Sequence, residues 1–291
     1  MKEINIFCFG FGQVAINFIK KINNKNIKIN LNTTSRKNTK KLKLENVNYE
    51  SFQFNEKTYD TSLVKKLENS DYILISIAPV NGEDIVVKYF SKIIESSSAK
   101  WITYLSATSV YGDHKGKWVS EDSDTNPTSP NGICRLNAEN SWLSLAQKKK
   151  LPVQIFRLSG IYSNQKNILV RLKSGTVKMV KKENHFFSRV HVDDISNILY
   201  KSLKIFKPNE IYNITDDKPA SSEEVTLYGS KLLGIELPPA IEVNKLESKM
   251  LKNFYKDSKK VSNKKMKHMF KYELKYPSYV EGLNSIANNL T

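Results

Sequence analysis

Apolar positions in the first half of the chain fall into short continuous runs, separated by stretches with helical spacing. Ile4–Phe9 is an apolar run that ends at Gly10, as a buried strand does. Val14–Ile22 has helical spacing. Ile27–Asn32 and Tyr49–Phe54 are the second and third predicted strands, and Ser62–Leu67 is helical. Tyr72–Ala78 is a continuous apolar strand stopped by Pro79. Asp84–Ile94 places Ile85, Val86, Tyr89, Phe90, Ile93 and Ile94 on one helix face. Trp101–Leu105 is the next strand, Gly132–Lys149 a long helix and Val153–Leu158 a strand after Pro152. Asp193–Phe206 is helical and Glu210–Ile214 a short last strand. Ser221-Ser222-Glu223-Glu224 has the form of a capping box, opening a helix that stops at Gly234.

Strands alternating with helices predict an α/β fold, a doubly wound parallel sheet covered on both faces. Beyond Gly160 the pattern becomes irregular. Pro238-Pro239 and the Lys-rich stretch from Lys245 to Lys271 suggest a smaller C-terminal lobe. The expected division is 1–160 plus 190–215 for the α/β domain, and 161–189 plus 216–291 for the smaller lobe.

The first strand runs into Gly10-Phe11-Gly12-Gln13-Val14-Ala15, a GxGxxA form of the dinucleotide fingerprint that opens a helix, as the fingerprint requires. The first Gly permits the turn, and the second lets the backbone approach a pyrophosphate. Ala15 is small enough for helix–strand packing. The helix N-terminus then offers unpaired N–H groups, with Gln13 and Val14 in the first turn. NAD-specific sheets carry an acid at the end of the second strand, yet no acidic residue occurs from Ile4 to Leu44. Thr33-Thr34-Ser35-Arg36-Lys37 stands there instead, so Arg36 can hold a 2′-phosphate, with Ser35 adding a hydroxyl. NADP is expected over NAD.

Two later stretches carry a family resemblance: Ser106-Ala-Thr108-Ser-Val-Tyr111-Gly112 and Pro127-Thr-Ser-Pro-Asn131-Gly-Ile-Cys-Arg135-Leu-Asn-Ala-Glu139. They resemble the extended short-chain dehydrogenase/reductases, the class of nucleotide-sugar epimerases and dehydratases, in its atypical form. Arg157-Leu-Ser-Gly160-Ile-Tyr162, Phe187-Ser-Arg189-Val-His191-Val-Asp193-Asp194 and Tyr212–Asp217 extend the resemblance over nearly the whole chain. The resemblance implies a Ser/Thr, a Tyr and a Lys as the reactive residues. Ala107, Asn131 and Arg135 occupy those positions. Asn131 has no titratable proton, whereas Arg135 remains a fixed cation able to reach the nicotinamide ribose. Ser106 and Thr108 are candidate replacement hydroxyls. Tyr111 is either a relocated proton donor or a structural residue of its turn. The resemblance also implies that the larger domain is an NAD(P)-binding Rossmann domain and the smaller a substrate lobe, with Gly160 beside the cofactor and Tyr162, Arg189 and His191 toward the substrate. Ala78, at the end of its strand, is expected beside the cofactor, and His114, past the strand end at Leu105, toward the substrate. Asp193 is expected to cap the following helix.

Composition changes this picture little. The chain has 291 residues, 40% hydrophobic and 26% charged, enough for a sizeable core. A net charge of +17 invites a nucleic-acid reading, but the only arginines are Arg36, Arg135, Arg157, Arg171 and Arg189. The excess is lysine in an Asn- and Ile-rich chain, which argues against that reading. Cys8 and Cys134 are far apart, so no disulfide is expected and a reducing cytoplasm fits. The apolar start is broken by Gly10, Gly12 and Gln13, unlike a signal peptide, and no run is long enough to span a membrane. No metal is expected, and the composition is silent on oligomeric state. The function implied is an NAD(P)-dependent oxidoreductase or epimerase acting on a small carbonyl, hydroxyl or nucleotide-sugar substrate. The alternative is a catalytically silent NADP-binding sensor or scaffold.

Overall fold

The computed structural model describes residues 3–248, 251–252 and 255–289. The first half of the chain forms β1 (Ile4–Phe9), α1 (Gln13–Asn23), β2 (Ile29–Ser35), β3 (Lys40–Leu44), β4 (Val47–Gln53), α2 (Leu63–Glu68), β5 (Tyr72–Ile75), α3 (Ile85–Ser96) and β6 (Trp101–Ala107). Next come β7 (Trp118–Val119), α4 (Pro130–Lys149), β8 (Val153–Leu158), β9 (Gly160–Tyr162), α5 (Ile168–Lys173), β10 (Met179–Lys181), β11 (Arg189–His191), α6 (Val192–Ser202) and β12 (Glu210–Ile214). The rest contains α7 (Ser222–Leu233), β13 (Ala240–Glu242), β14 (Lys260–Val261), α8 (Lys264–Phe270) and α9 (Tyr279–Ala287). The Lys-rich stretch read as part of a lobe lies partly outside the described residues.

The main sheet has eight strands in the order β12-β8-β6-β5-β1-β2-β4-β3. From β4 through β2, β1 and β5 to β6 every pairing is parallel, and β3 is antiparallel on β4. The chain leaves β1 toward β2 and later returns on its other side to β5. The strand order therefore reverses between β1 and β5, where open α/β sheets place their ligands.

Burial on both faces explains the continuous apolar runs. Phe7, Phe9, Ile73, Ile75, Ile102 and Tyr104 face one way, packing with Leu63 and Leu67 of α2, Phe90 of α3 and Trp142 of α4. The alternate residues face the other way: Trp101 stacks on Phe18 of α1 and donates from Nε1 to Ser202 Oγ at the end of α6.

Several boundaries differ from expectation. β2 runs on to Ser35, because Thr33, Thr34 and Ser35 pair with Ser51, Phe52 and Gln53 of β4. β3 was not expected. Its sequence, KKLKL, is that of a lysine-guarded edge strand, whose charge masks its extended backbone. β5 ends at Ile75 and Ala78 is exposed, so Ser76–Ala78 belong to the turn rather than the strand. α6 stops at Ser202, four residues short of Phe206, with turns over Tyr200–Ile205. Asp193 lies inside the first turn of α6 rather than before it. At α7, Ser221 Oγ accepts from Glu224 N at 2.9 Å, but the Glu224 carboxylate accepts from Tyr279 Oη. A complete capping box forms at Ser278 and Glu281, opening α9.

The chain packs as two compact units. One comprises Met1–Ser106, Ile133–Arg157 and Ile195–Tyr212. The other comprises Ala107–Gly132, Leu158–Asp194 and Asn213–Thr291. The segment 107–132, expected in the dinucleotide-binding domain, packs with the second unit. The reason is a set of contacts with 257–261: β7 pairs with β14, His114 N and Gly116 N donate to Ser258 O, and Thr128 Oγ1 donates to Asp257. Cys8 is buried, Cys134 half-buried, and both are free thiols. Among the described residues no helix is long and apolar enough to cross a membrane, and no His, Cys, Asp and Glu cluster suits a metal ion.

Candidate functional site

In the first unit, three strand ends are tied together around the glycine turn. Gly10 has φ +80, and an added Cβ would lie 2.9 Å from Ser76 Oγ, so only glycine fits. Gly10 N donates to Thr34 Oγ1 at 2.9 Å, joining β1 to β2. Ser76 Oγ lies 3.0 Å from Phe9 O and 3.1 Å from Gly10 O, joining β1 to β5. Thr34 and Ser76 were not singled out in the sequence. The signal available was a hydroxyl at the end of each apolar run.

Gly12 caps α1 without any side-chain hydrogen bond, and the first turn contains no acid. An added Cβ at Gly12 would meet nothing within 4 Å. Gln13 Nε2 is buried without a partner among the described residues. Unsatisfied N–H groups, a positive helix end, an idle amide donor and open space suit a pyrophosphate. Val14 is buried, so its side chain belongs to the core and only its backbone N–H can serve a ligand. At the end of β2, Ser35 is half-buried and Arg36 exposed. Ala78, just past β5, is exposed on the same sheet edge.

At the end of β6, Ser106 is buried and its Oγ has no partner among the described residues. Arg135, one turn from Asn131 on α4, donates from Nη1 to Leu105 O at 2.6 Å and to Tyr104 Oη at 3.2 Å. Glu139, one further turn along α4, forms a buried pair with Arg157, with Nη2 to Oε2 at 2.8 Å and Nε to Oε1 at 3.1 Å. Asp84 caps α3 by accepting from Val86 N and Val87 N, and its other oxygen accepts from Trp142 Nε1 at 2.9 Å. Burial raises the Asp84 carboxyl against these hydrogen bonds.

The second unit holds the remaining candidates. Thr108 opens a 3-10 turn over Thr108–Tyr111 and is half-buried. Asn131 is exposed at the start of α4. Tyr111 is fully buried, its Oη donating to Asn213 Oδ1 at 2.8 Å, and Asn213 N in turn donates to Glu121. The Tyr111 hydroxyl is therefore engaged within its own unit. His114 Nε2 lies 3.1 Å from Tyr111 O and 3.2 Å from Asp124 O, bracing the same turn. Gly160 faces Phe187, whose ring would lie 2.7 Å from an added Cβ.

A cavity of about 760 Å³ lies within this unit, walled by Tyr162, Phe187, Val225 and Ile241. Lys166, Arg171, Lys178 and Arg189 line it, against a single acid, Glu247, among its described lining residues. Burial lowers the Arg189 guanidinium to about 10, and it donates to Phe187 O and Ala220 O. Burial raises the nearby Asp216 carboxyl well above the usual range, opposed by Arg189. Of the four residues expected toward the substrate, Tyr162 and Arg189 line this cavity, whereas His114 and His191 do not.

His191 is engaged within the fold at one nitrogen, while its buried Nε2 has no hydrogen-bond partner among the described residues. Its Nδ1 accepts from Asp193 N at 3.1 Å, capping α6 in the way expected of Asp193. Its ring lies against Tyr162 and Tyr276. Burial lowers its pKa to about 4, with Asp193 opposing and Lys275 assisting. The folded protein therefore binds fewer protons at His191 than the unfolded chain does between pH 6.5 and about 4. Its contribution to stability is full above pH 6.5 and is lost as pH falls through that window. Proton NMR should show the His191 ring neutral at pH 5.5, and His191→Phe should flatten the acid limb of the stability–pH curve.

The sequence model of the NAD dependent epimerase/dehydratase family matches residues 12–215. A structure of a conserved protein of unknown function from Silicibacter pomeroyi is 29% identical, covers 98% of both chains and has a TM-score of 0.84. UDP-glucuronic acid 4-epimerase from Bacillus cereus, in complex with NAD, is 15% identical over 99% of both chains with a TM-score of 0.77. dTDP-glucose 4,6-dehydratase from Bacillus anthracis, also with NAD, is 17% identical over 98% of this chain and 96% of that one, with a TM-score of 0.76. The last two likenesses are likenesses of fold. No curated protein matches.

Proposed function

The chain belongs to the NAD dependent epimerase/dehydratase family, and on that premise we propose that it is a nicotinamide-dependent, epimerase-type oxidoreductase that prefers NADPH. The end of β2 carries the preference. Arg36 is exposed there, and no acid stands anywhere from Ile4 to Leu44 to hold a ribose 2′-hydroxyl. The dinucleotide in the solved structures is NAD, which supports a nicotinamide cofactor. The backbone N–H groups of Gly12, Gln13 and Val14 would hold the pyrophosphate, with Gln13 Nε2 as an added donor. Arg36 and Ser35 would hold the 2′-phosphate, and Ala78 would leave room for the dinucleotide, whereas the space at Gly160 is filled by Phe187. When bound, the nicotinamide supplies hydride transfer.

The chain's own contribution to the chemistry is unusual. Asn131 cannot exchange a proton and Arg135 stays cationic, so no Tyr–Lys proton relay operates. Ser106 and Thr108 are the hydroxyls available at the end of β6 to hold a substrate oxygen. The cationic cavity of the second unit, with Tyr162 and Arg189, suits a phosphorylated substrate such as a nucleotide sugar, the class seen in several structures of this fold. Membership of the family favours this reading over a catalytically silent sensor.

Fluorescence titration with both cofactors tests the preference. A charge-assisted contact contributes about 1.5–3 kcal/mol, and the exposed position of Arg36 puts it at the lower end, about tenfold in Kd. Arg36→Ala should bring NADPH down to the affinity of NADH and leave NADH unchanged. Equal affinities in the wild type would reject the NADPH preference.

A further inference from the structure

We infer that Tyr104, a buried residue of β6 outside the family motifs, is a positioning residue that aims the Arg135 guanidinium at the nicotinamide riboside half of the cofactor. The inference rests on the cofactor reading above. Tyr104 is fully buried between the strand and α4, its ring 6.4 Å from that of Trp142. Trp142 is itself held by Asp84 through a 2.9 Å hydrogen bond, so the phenol has little freedom to move. Burial raises its pKa, and the hydroxyl stays neutral throughout the physiological range.

Arg135 Nη1 carries two hydrogens, and both are engaged, one by Leu105 O and the other by Tyr104 Oη. A guanidinium is planar, so two acceptors on one nitrogen fix the plane of the whole group. Nε and Nη2 make no hydrogen bond among the described residues, the Asp84 carboxyl interacts with the guanidinium through charge alone, and three N–H donors remain for a ligand. A lysine would sit here as a rotating point charge. This arginine is a preset fork, and Tyr104 supplies one of its two anchors.

Strand register says what the fork can reach. Phe9 of β1 pairs with Ile75 of β5, and Ile75 pairs with Tyr104 of β6. Gly10 and Leu105 each follow one of these residues, so the glycine turn and the Arg135 anchor lie at the same level of the sheet. They are two strand spacings apart, about 10 Å. Arg36 lies on the opposite side of the glycine turn, at the end of β2. A dinucleotide with its pyrophosphate at the turn and its 2′-phosphate at Arg36 then directs its other riboside toward β5 and β6. That is the side on which Arg135 is held.

Two ligands separate this role from a general structural one. Adenosine 2′,5′-bisphosphate lacks the nicotinamide riboside, and NADPH contains it. Isothermal titration of wild type and Tyr104→Phe should show NADPH weakened about three- to tenfold, the loss of one hydrogen bond to a charged group held part-way by the other anchor. Adenosine 2′,5′-bisphosphate should bind both proteins alike, and the melting temperatures should agree within a few degrees. Arg135→Gln removes the fork while leaving every residue of β6 in place and should show the same selective loss, at least as large. NADH and AMP are titrated in parallel. If wild type binds NADH but not the 2′-phosphorylated pair, the NADPH preference fails and the Tyr104 effect is read on NADH against AMP. Unchanged dinucleotide affinity in Tyr104→Phe, or equal weakening of both members of a pair, would overturn the inference. Should Tyr104→Phe not fold, unchanged dinucleotide affinity in Arg135→Gln would overturn it, and selective loss there would uphold it. If wild type binds neither dinucleotide, the inference and the cofactor reading fall together.

Discussion

Gly12→Val should give a folded protein that no longer binds NADPH. Gly12 has φ −90 and ψ −170, extended backbone that any residue adopts, and an added Cβ meets nothing within 4 Å. The polypeptide therefore has no objection to a side chain at this position. The space is reserved for something else, and in a GxGxxA turn opening a helix that is the pyrophosphate. Valine would put two methyl groups into it. We expect unchanged far-UV circular dichroism, a melting temperature within a few degrees of wild type, and no saturable fluorescence change at NADPH concentrations that saturate the wild type. Normal NADPH binding by folded Gly12→Val would refute the assignment of the turn. Gly10→Val would be a poor substitute for this experiment, because its positive φ and the 2.9 Å approach of Ser76 Oγ make it a folding variant.

Glu139→Ala should be the most destabilising substitution in the motif from Pro127 to Glu139. The carboxylate is buried with Arg157, their side chains 1% and 4% exposed, in a two-point hydrogen-bonded pair. Removing one partner strands the other charge in the interior, which costs about 3–5 kcal/mol. Urea denaturation should show that loss in the midpoint. Replacing both partners, as Glu139→Met with Arg157→Leu, should restore much of it, since no charge is then buried alone. A loss below about 1 kcal/mol in Glu139→Ala would mean that water reaches the pair. The pair also explains why these two residue types recur in the resemblance without entering the chemistry: Glu139 fastens α4 to β8.

The central strands of the main sheet were legible because their signals are local. Ile4–Phe9 and Val153–Leu158 are buried on both faces, so their apolar runs stand out and their bounds match the strands. The GxGxxA turn is read from adjacent residues and lies where expected. β3 was not legible, because the pairing of KKLKL with β4 depends on a neighbour rather than on its own pattern. The partners of His191 and Tyr111 were not legible. Each is a polar residue inside a motif, and what its side chain packs against or bonds depends on chain distant in sequence, Tyr276 and Asn213 respectively.

The sequence by itself determined the alternation of strands and helices, the glycine turn and the absence of any acid from Ile4 to Leu44. All of these are properties of residue type and short spacing, which a chain carries whether folded or not. Only the tertiary structure decided which polar groups are already engaged. Tyr111 is engaged by Asn213, His191 by the start of α6, Glu139 by Arg157 and one nitrogen of Arg135 by Tyr104 and Leu105, whereas Ser106 Oγ and Gln13 Nε2 are left over. The physical reason is that a buried polar group must find a partner or carry a desolvation cost. Apart from the local cap at His191, these partners are assigned by contacts across 18 to 102 residues of chain, which no local pattern records.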